Sequence, residues 1–146
     1  MKNHTPSLDY LLKSAWQSVA NKYNNIASHY GFTQAAGYIL INIHKEGTTV
    51  SNIANSTGVK TTSLSRILSN LESLGFIYRE PCKVDKRSVR VYLTELGIEK
   101  RKIAKSVVRD FNDYLSESLN DEERTQFVRI MIKINDLANT YEVDVR

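Results

Sequence analysis

The sequence predicts a mainly α-helical chain carrying one small β-hairpin wing, with a winged helix-turn-helix domain set between long dimerisation helices. Three observations carry that prediction. Apolar residues recur at helical spacing over most of the 146 residues, two short helical stretches meet at Gly58, and between Gly75 and Thr94 the spacing changes from helical to alternating.

From Ser7, an N-cap after Pro6, the apolar positions Leu8, Leu11, Leu12, Ala15, Val19, Tyr23, Ile26, Ala27 and Tyr30 define one long amphipathic helix that ends before Gly31. A second helix begins near Thr33 and runs through Ala36, Ile39, Leu40, Ile41 and Ile43 until Gly47 stops it. Ser51 is predicted to open a short helix closed by Gly58, and Thr61 or Thr62 to open another that ends at Gly75. Phe76 to Tyr78 and Val89 to Leu93 then read as two strands around a polar loop over residues 80–88. Thr94 caps a long fifth helix through Ile98, Ile103, Val107, Phe111 and Leu115. Asn120 with Glu123 forms a capping box for a sixth, striped by Phe127, Ile130, Ile134 and Leu137.

A hydrophobic content of 41% with 25% charged residues places the chain among folded globular proteins and against disordered or low-complexity classes. No run approaches the ~18 apolar residues of a membrane span, and the start lacks a signal-peptide core, so the expected location is the cytoplasm. The net charge of +4 is unevenly distributed: +2 over residues 1–50, +3 over 51–97 and −1 over 98–146. The most basic third is therefore the helix-turn-helix and hairpin, which points to a polyanionic partner.

Within IANSTGVKTTSLSRIL, small Ala54 lets two helices approach, Gly58 permits the tight turn, and Val59 and Leu64 set the crossing of the second helix. With Leu64, Ile67, Leu68, Leu71 and Leu74 turned inward, the outward face holds Thr61, Thr62, Ser65, Arg66, Ser69, Asn70 and Ser73 and is nearly free of acids. Short hydroxyls for phosphates and a forked cation for guanine suit a major-groove helix. The expected contacts are Lys60, Thr61, Thr62, Ser63, Ser65, Arg66, Ser69 and Asn70. In the hairpin, Arg79, Lys83, Lys86, Arg87 and Arg90 crowd one ribbon. Lys83, Lys86, Arg87 and Arg90 are expected to meet DNA there. An arginine at the tip can enter the narrow minor groove, and Asp85 is expected to hold Arg87 in a fixed orientation.

The order of parts resembles the MarR family of regulators along essentially the whole chain. The most specific stretches are LSRILSNLESLGFIYRE and VDKRSVRVYLTELG, where Ser65, Arg66, Leu71, Gly75, Phe76, Ile77, Arg79, Asp85, Lys86, Arg87, Leu93, Thr94 and Gly97 fall on the family's pattern. The resemblance implies a dimer interface built from the first, fifth and sixth helices, a cleft beside it that receives an effector in many members, and repression as the usual outcome. The long apolar stripes at both chain ends fit a homodimer independently, and a two-fold dimer reads a pseudo-palindromic double-stranded operator. The expected organisation is a single domain over 1–146, with a helical dimerisation region at 1–30 and 98–146 and a DNA-binding lobe at 33–97.

Trp16, Tyr23, Tyr30 and Tyr38 are candidates for a cleft that takes a small aromatic or phenolic effector, although such spacing also suits a core. His4, His29 and His44 are scattered, and the fifth helix lacks the histidines that zinc-sensing relatives in the resembled family use, so no metal is expected. A lone Cys82 excludes an internal disulfide and reads as a thiol of ordinary reactivity near Lys83 and Arg79. No hydrolase, nucleotide-binding or metalloprotease motif is present, so neither an enzyme nor a cofactor is expected. The competing readings are a winged-helix protein-interaction module and a redox or ligand sensor in which DNA binding is secondary.

Overall fold

The computed structural model describes residues 5–85 and 87–145. In chain order the elements are α1 (Leu8–Ser28), α2 (Gln34–Ile41), β1 (Thr48–Thr49), α3 (Val50–Thr57), α4 (Thr61–Ser73), β2 (Ile77–Pro81), β3 (Val89–Leu93), α5 (Glu95–Ser118) and α6 (Asp121–Thr140). The chain divides into two compact units, one reaching to Val108 and one from Arg109 onward.

The first unit holds the core. Ile39, Leu40 and Ile43 after and within α2, Ile53 of α3, Leu64, Leu68 and Leu71 of α4, and Ile77, Val91 and Leu93 of the sheet bury against one another. Burying side chains of this kind contributes roughly 1.5–3 kcal/mol each and fixes the α3–α4 crossing. The strands form an antiparallel sheet in the order β1-β3-β2, with Thr48 opposite Val91 and Ile77 opposite Leu93. Alternation along β2 and β3 sends Ile77, Val91 and Leu93 inward, while Tyr78 and Tyr92 stack on the other face at 5.2 Å.

Several expected boundaries move. The second helix stops at Ile41 rather than near Gly47, and the Asn42 amide donates to the Tyr38 carbonyl at 2.8 Å. Ile39 to Ile43 is almost continuously apolar, so periodicity could not mark the end. The side chain's competition for a helical carbonyl does. Thr49, not Ser51, caps α3, its Oγ1 accepting from the Asn52 amide at 3.2 Å. Gly58 closes α3 with φ of 69°. The expected two-stranded hairpin gains β1 as a third strand. Two threonines have no alternating pattern, and only pairing with β3 reveals them.

The start of α5 is tied to the end of α4. The Thr94 amide donates to the Phe76 carbonyl at 3.0 Å, its hydroxyl donates to the Gly75 carbonyl at 2.6 Å, and the same oxygen caps Gly97 N at 3.0 Å. A Cβ at Gly97 would overlap the Phe76 carbonyl, so this close approach requires glycine. One turn on, the Lys100 ammonium donates to the Tyr30 carbonyl at 2.9 Å and lies 5.8 Å from the centre of the Phe76 ring.

In the second unit the Asn120 and Glu123 capping box opens α6 as expected. Arg124 donates to the carbonyls of Ser116 and Leu119 and pairs with Asp121. No residue of α6 is buried, and Phe127, Val128, Ile130, Ile132 and Leu137 are all exposed. Among the described residues, no helix is long and apolar enough to cross a membrane.

Candidate nucleic-acid interface

Helix α4 divides cleanly by face. Leu64, Leu68 and Leu71 are at most 1% exposed, while Thr61, Thr62, Ser63, Ser65, Arg66, Ser69, Asn70 and Ser73 are all exposed. Leu74, expected to face inward, is the C-cap and is exposed, because the helix ends before completing another turn. Arg66 has no ion-pair partner among the described residues. The only acid on α4, Glu72, binds the Arg79 Nε at 2.9 Å, which leaves the outward face without free negative charge. Arg79 is thereby withdrawn from the cationic set of the ribbon. The partner lies seven residues away across a helix-to-strand corner, a contact that charge counting along one strand misses.

The N-cap of α4 is Lys60, in extended conformation and without a side-chain cap hydrogen bond. Neither Thr61 nor Thr62 takes that place, since both are already helical. The first backbone N–H groups of the helix consequently stand at an exposed corner with no capping oxygen, next to a lysine. Such a terminus is positive through its unsatisfied donors and its dipole, and it accepts a phosphate directly.

The wing turn is built around Asp85. Its Oδ1 accepts from the Arg87 amide at 3.0 Å and its Oδ2 from the Ser88 hydroxyl at 3.3 Å, while the Ser88 amide donates to the Asp85 carbonyl at 3.0 Å. The expectation that Asp85 grips the Arg87 guanidinium is corrected. At this spacing in a turn the carboxylate lies over its own backbone, so it fixes the loop and leaves the guanidinium exposed. Lys83 is exposed beside it, and Lys86 lies outside the described residues.

Arg90 plays a different part from the tip cations. It is half-buried, and its Nη1 donates to the Gly47 carbonyl at 3.1 Å, 43 residues away in sequence. Gly47 has φ of 91°, and a Cβ there would come within 2.6 Å of the Tyr92 ring. Both features hold the base of the wing against the segment before β1. Cys82, just inside the loop, donates its amide to Ser88 O at 2.8 Å. Its thiol is held below the ordinary range by the backbone N–H of Asp85, then that of Val84, with the Arg90 charge adding to them. The sequence pointed to Lys83 and Arg79 as the groups that could lower it; the turn's own amides are the main cause.

A sequence profile of the MarR family matches residues 30–88, the segment that carries α2 to the wing turn. The fold is shared far beyond that segment. The S. aureus MepR–DNA complex superposes with a TM-score of 0.83 at 23% identity, over 90% of this chain and 98% of that one. A mutant E. coli MarR in complex with operator DNA gives 0.77 at 26% identity, over 87% and 92%. The transcriptional regulator SlyA gives 0.79 at 20% identity, over 91% and 94%. By this profile and these folds the chain is similar to members of the MarR family.

The expected aromatic cleft is largely assembled in the structure. Trp16, Tyr23 and Tyr38 line a cavity of about 210 Å³ together with Phe32, Ala104 and Val107, which the sequence did not single out. Tyr30 does not line it. The first helix ends at Ser28, and the chain turns through Gly31 at φ of 85°, so Tyr30 leaves the helical periodicity that would have aligned it with Tyr23. Among the described residues no group of three or more His, Cys, Asp or Glu is placed to hold a metal ion, and His4 lies outside them.

Proposed function

We propose that this chain is a sequence-specific regulator of transcription that binds double-stranded DNA and performs no catalysis. The observation that carries this reading is the exposed face of α4. It combines an uncapped N-terminus, a row of hydroxyls, an Arg66 without an ion-pair partner among the described residues and a neutralised acid, and it lies in the same compact unit as a wing whose Arg87 is exposed. The helix N-terminus and hydroxyls position the phosphate backbone, Arg66 reads a base edge in the major groove, and Arg87 with Lys83 and Lys86 reaches the adjacent minor groove. Thr61, Thr62, Ser63, Ser65, Ser69 and Asn70 complete the major-groove surface, with Lys60 at its edge.

The functional form is a homodimer on a pseudo-palindromic operator in the cytoplasm, joined through the helical regions 1–30 and 98–146, with the lobe over 33–97 reading each half-site. Support comes from the exposed Leu8, Leu11, Leu12, Phe127, Ile130 and Leu137, an amount of apolar surface that a soluble monomer rarely leaves uncovered. The regulator is a repressor, released from its operator when a small effector enters the cavity lined by Trp16, Tyr23 and Tyr38 and alters the spacing of the two reading lobes.

Fluorescence anisotropy on a duplex enriched from a random pool, against a scrambled duplex at two salt concentrations, tests the reading. Arg66→Ala is expected to cost about 1–3 kcal/mol on the selected duplex and to narrow its margin over the scrambled one. Arg87→Ala is expected to weaken binding most where the flanks are AT-rich. Unchanged affinities for folded variants of both arginines would remove the proposed reading mechanism.

A further inference from the structure

The cavity among α1, α2 and α5 has walls with an unusual charge balance, and that balance bears on which effector it takes. Resting on the reading that this cavity is the regulatory site, we infer that its ligand is a neutral aromatic molecule and that the same ring system bearing a carboxylate is excluded.

None of the eleven side chains that line the cavity is an acid, a lysine, an arginine or a histidine. Helix α2, which contributes Gln34, Gly37, Tyr38 and Ile41, has no charged residue anywhere in its sequence QAAGYILI. On α5 the lining residues are Ala104, Val107 and Val108, and none of the nearby cations of that helix, Lys100, Arg101, Lys102, Lys105 or Arg109, is among them. Lys102 and Lys105 are exposed, and Lys100 is held by the Tyr30 carbonyl at 2.9 Å. Arg101, one turn before Ala104, is half-buried with an Nε that has no hydrogen-bond partner among the described residues, but it does not line the cavity.

A carboxylate entering these walls would lose its hydration without meeting a cation, which is the costly case of polar burial. A hydroxyl, ester or ketone needs only one or two hydrogen bonds, and the Gln34 amide and the Tyr38 hydroxyl are of the right kind to supply them. The aromatic faces of Trp16, Tyr23, Phe32 and Tyr38 favour a flat ring. The volume of about 210 Å³ suits one substituted ring, since dry cavities of roughly 150 Å³ already take benzene.

Trp16 is the single tryptophan of the chain, so its fluorescence reports occupancy directly. The full chain is titrated with methyl 4-tert-butylbenzoate, with 4-tert-butylbenzoate and with (4-tert-butylbenzyl)trimethylammonium, three probes of one shape and different charge. The ester is expected to bind about tenfold or more tighter than either ion. Val107→Arg, checked for folding by circular dichroism, is expected to reverse the order of ester and carboxylate. Carboxylate binding equal to or tighter than the ester in the wild-type chain overturns the inference, and its loss in Arg101→Met would identify the cation responsible. Tighter binding of the ammonium probe overturns it equally, as does failure of all three to bind. Anisotropy on the selected duplex runs in parallel. An ester that saturates the Trp16 signal without changing DNA affinity upholds the ligand class and overturns the regulatory reading of the cavity, so the two failures are distinguishable.

Discussion

Helices α4 and α6 are both amphipathic, and they solve the burial of their apolar stripes in opposite ways. Helix α4 covers Leu64, Leu68 and Leu71 completely with side chains of its own chain and offers solvent a polar face. Helix α6, longer by seven residues, buries none of its own and leaves Phe127, Ile130 and Leu137 in the open. Short helices have little stability of their own in water, and packing supplies the rest. Helix α4 therefore gets its stability from within its own unit. By the proposed reading, α6 gets its share from a second copy.

The largest expected effect falls on the self-sufficient side of that contrast. Leu68→Ala should destabilise the chain by about 2–5 kcal/mol, and by the same amount at any protein concentration in urea titrations. A small or concentration-dependent loss would break the comparison. Phe127→Asp should do the reverse. It is expected to raise the dimer dissociation constant by about tenfold or more, roughly 1.4 kcal/mol, while the unfolding of the lobe at low concentration stays as in the parent. Analytical ultracentrifugation together with denaturation at two concentrations reads both quantities, and an unchanged dissociation constant would take α6 out of the interface.

Two smaller effects sharpen the picture inside the lobe. Thr94→Val removes the hydroxyl that caps Gly97 and holds the Gly75 carbonyl, and should cost about 1 kcal/mol in chemical denaturation. Replacing Cys82 with Ser should leave stability and DNA affinity within about 0.5 kcal/mol, because the structural contact of that residue is its backbone amide. The wild-type thiol should nonetheless be alkylated by iodoacetamide at lower pH than a free cysteine. The group has its folded pKa lowered by the turn amides, so the reactive thiolate persists as pH falls below the ordinary thiol range. Alkylation that follows the pH dependence of free cysteine would contradict that electrostatic account.

The contrast also explains what the sequence could and could not reveal. Residues whose role is set by local spacing were readable: Leu64, Leu68 and Leu71 against Ser65, Arg66 and Ser69, the Gly58 turn, and the Asn120 capping box. Those whose role depends on distant partners were not. Arg90 reaches Gly47, Lys100 reaches Tyr30 and Arg79 reaches Glu72, and nothing in a count of cations along the chain separates these committed charges from the exposed Lys83 and Arg87. Asp85 shows the subtler case. Its importance was legible from its place in the turn, but its acceptance of backbone and hydroxyl protons, rather than a guanidinium, required coordinates. The cavity followed the same rule: Trp16 and Tyr23 share a helical stripe, while Phe32 and Ala104 join them only through folding.

The bare N-terminus of α4 bears on how this protein can be engineered. Lys60 is a poor residue for its position, and Lys60→Asp would supply the missing acceptor and about 0.5–2 kcal/mol of stability. On the proposed reading, the same carboxylate would occupy the amides offered to a DNA phosphate and repel the duplex. A screen that ranks variants by melting temperature alone would therefore enrich a sturdier protein that has lost its target, and any stabilised version of this chain has to be sought away from that corner.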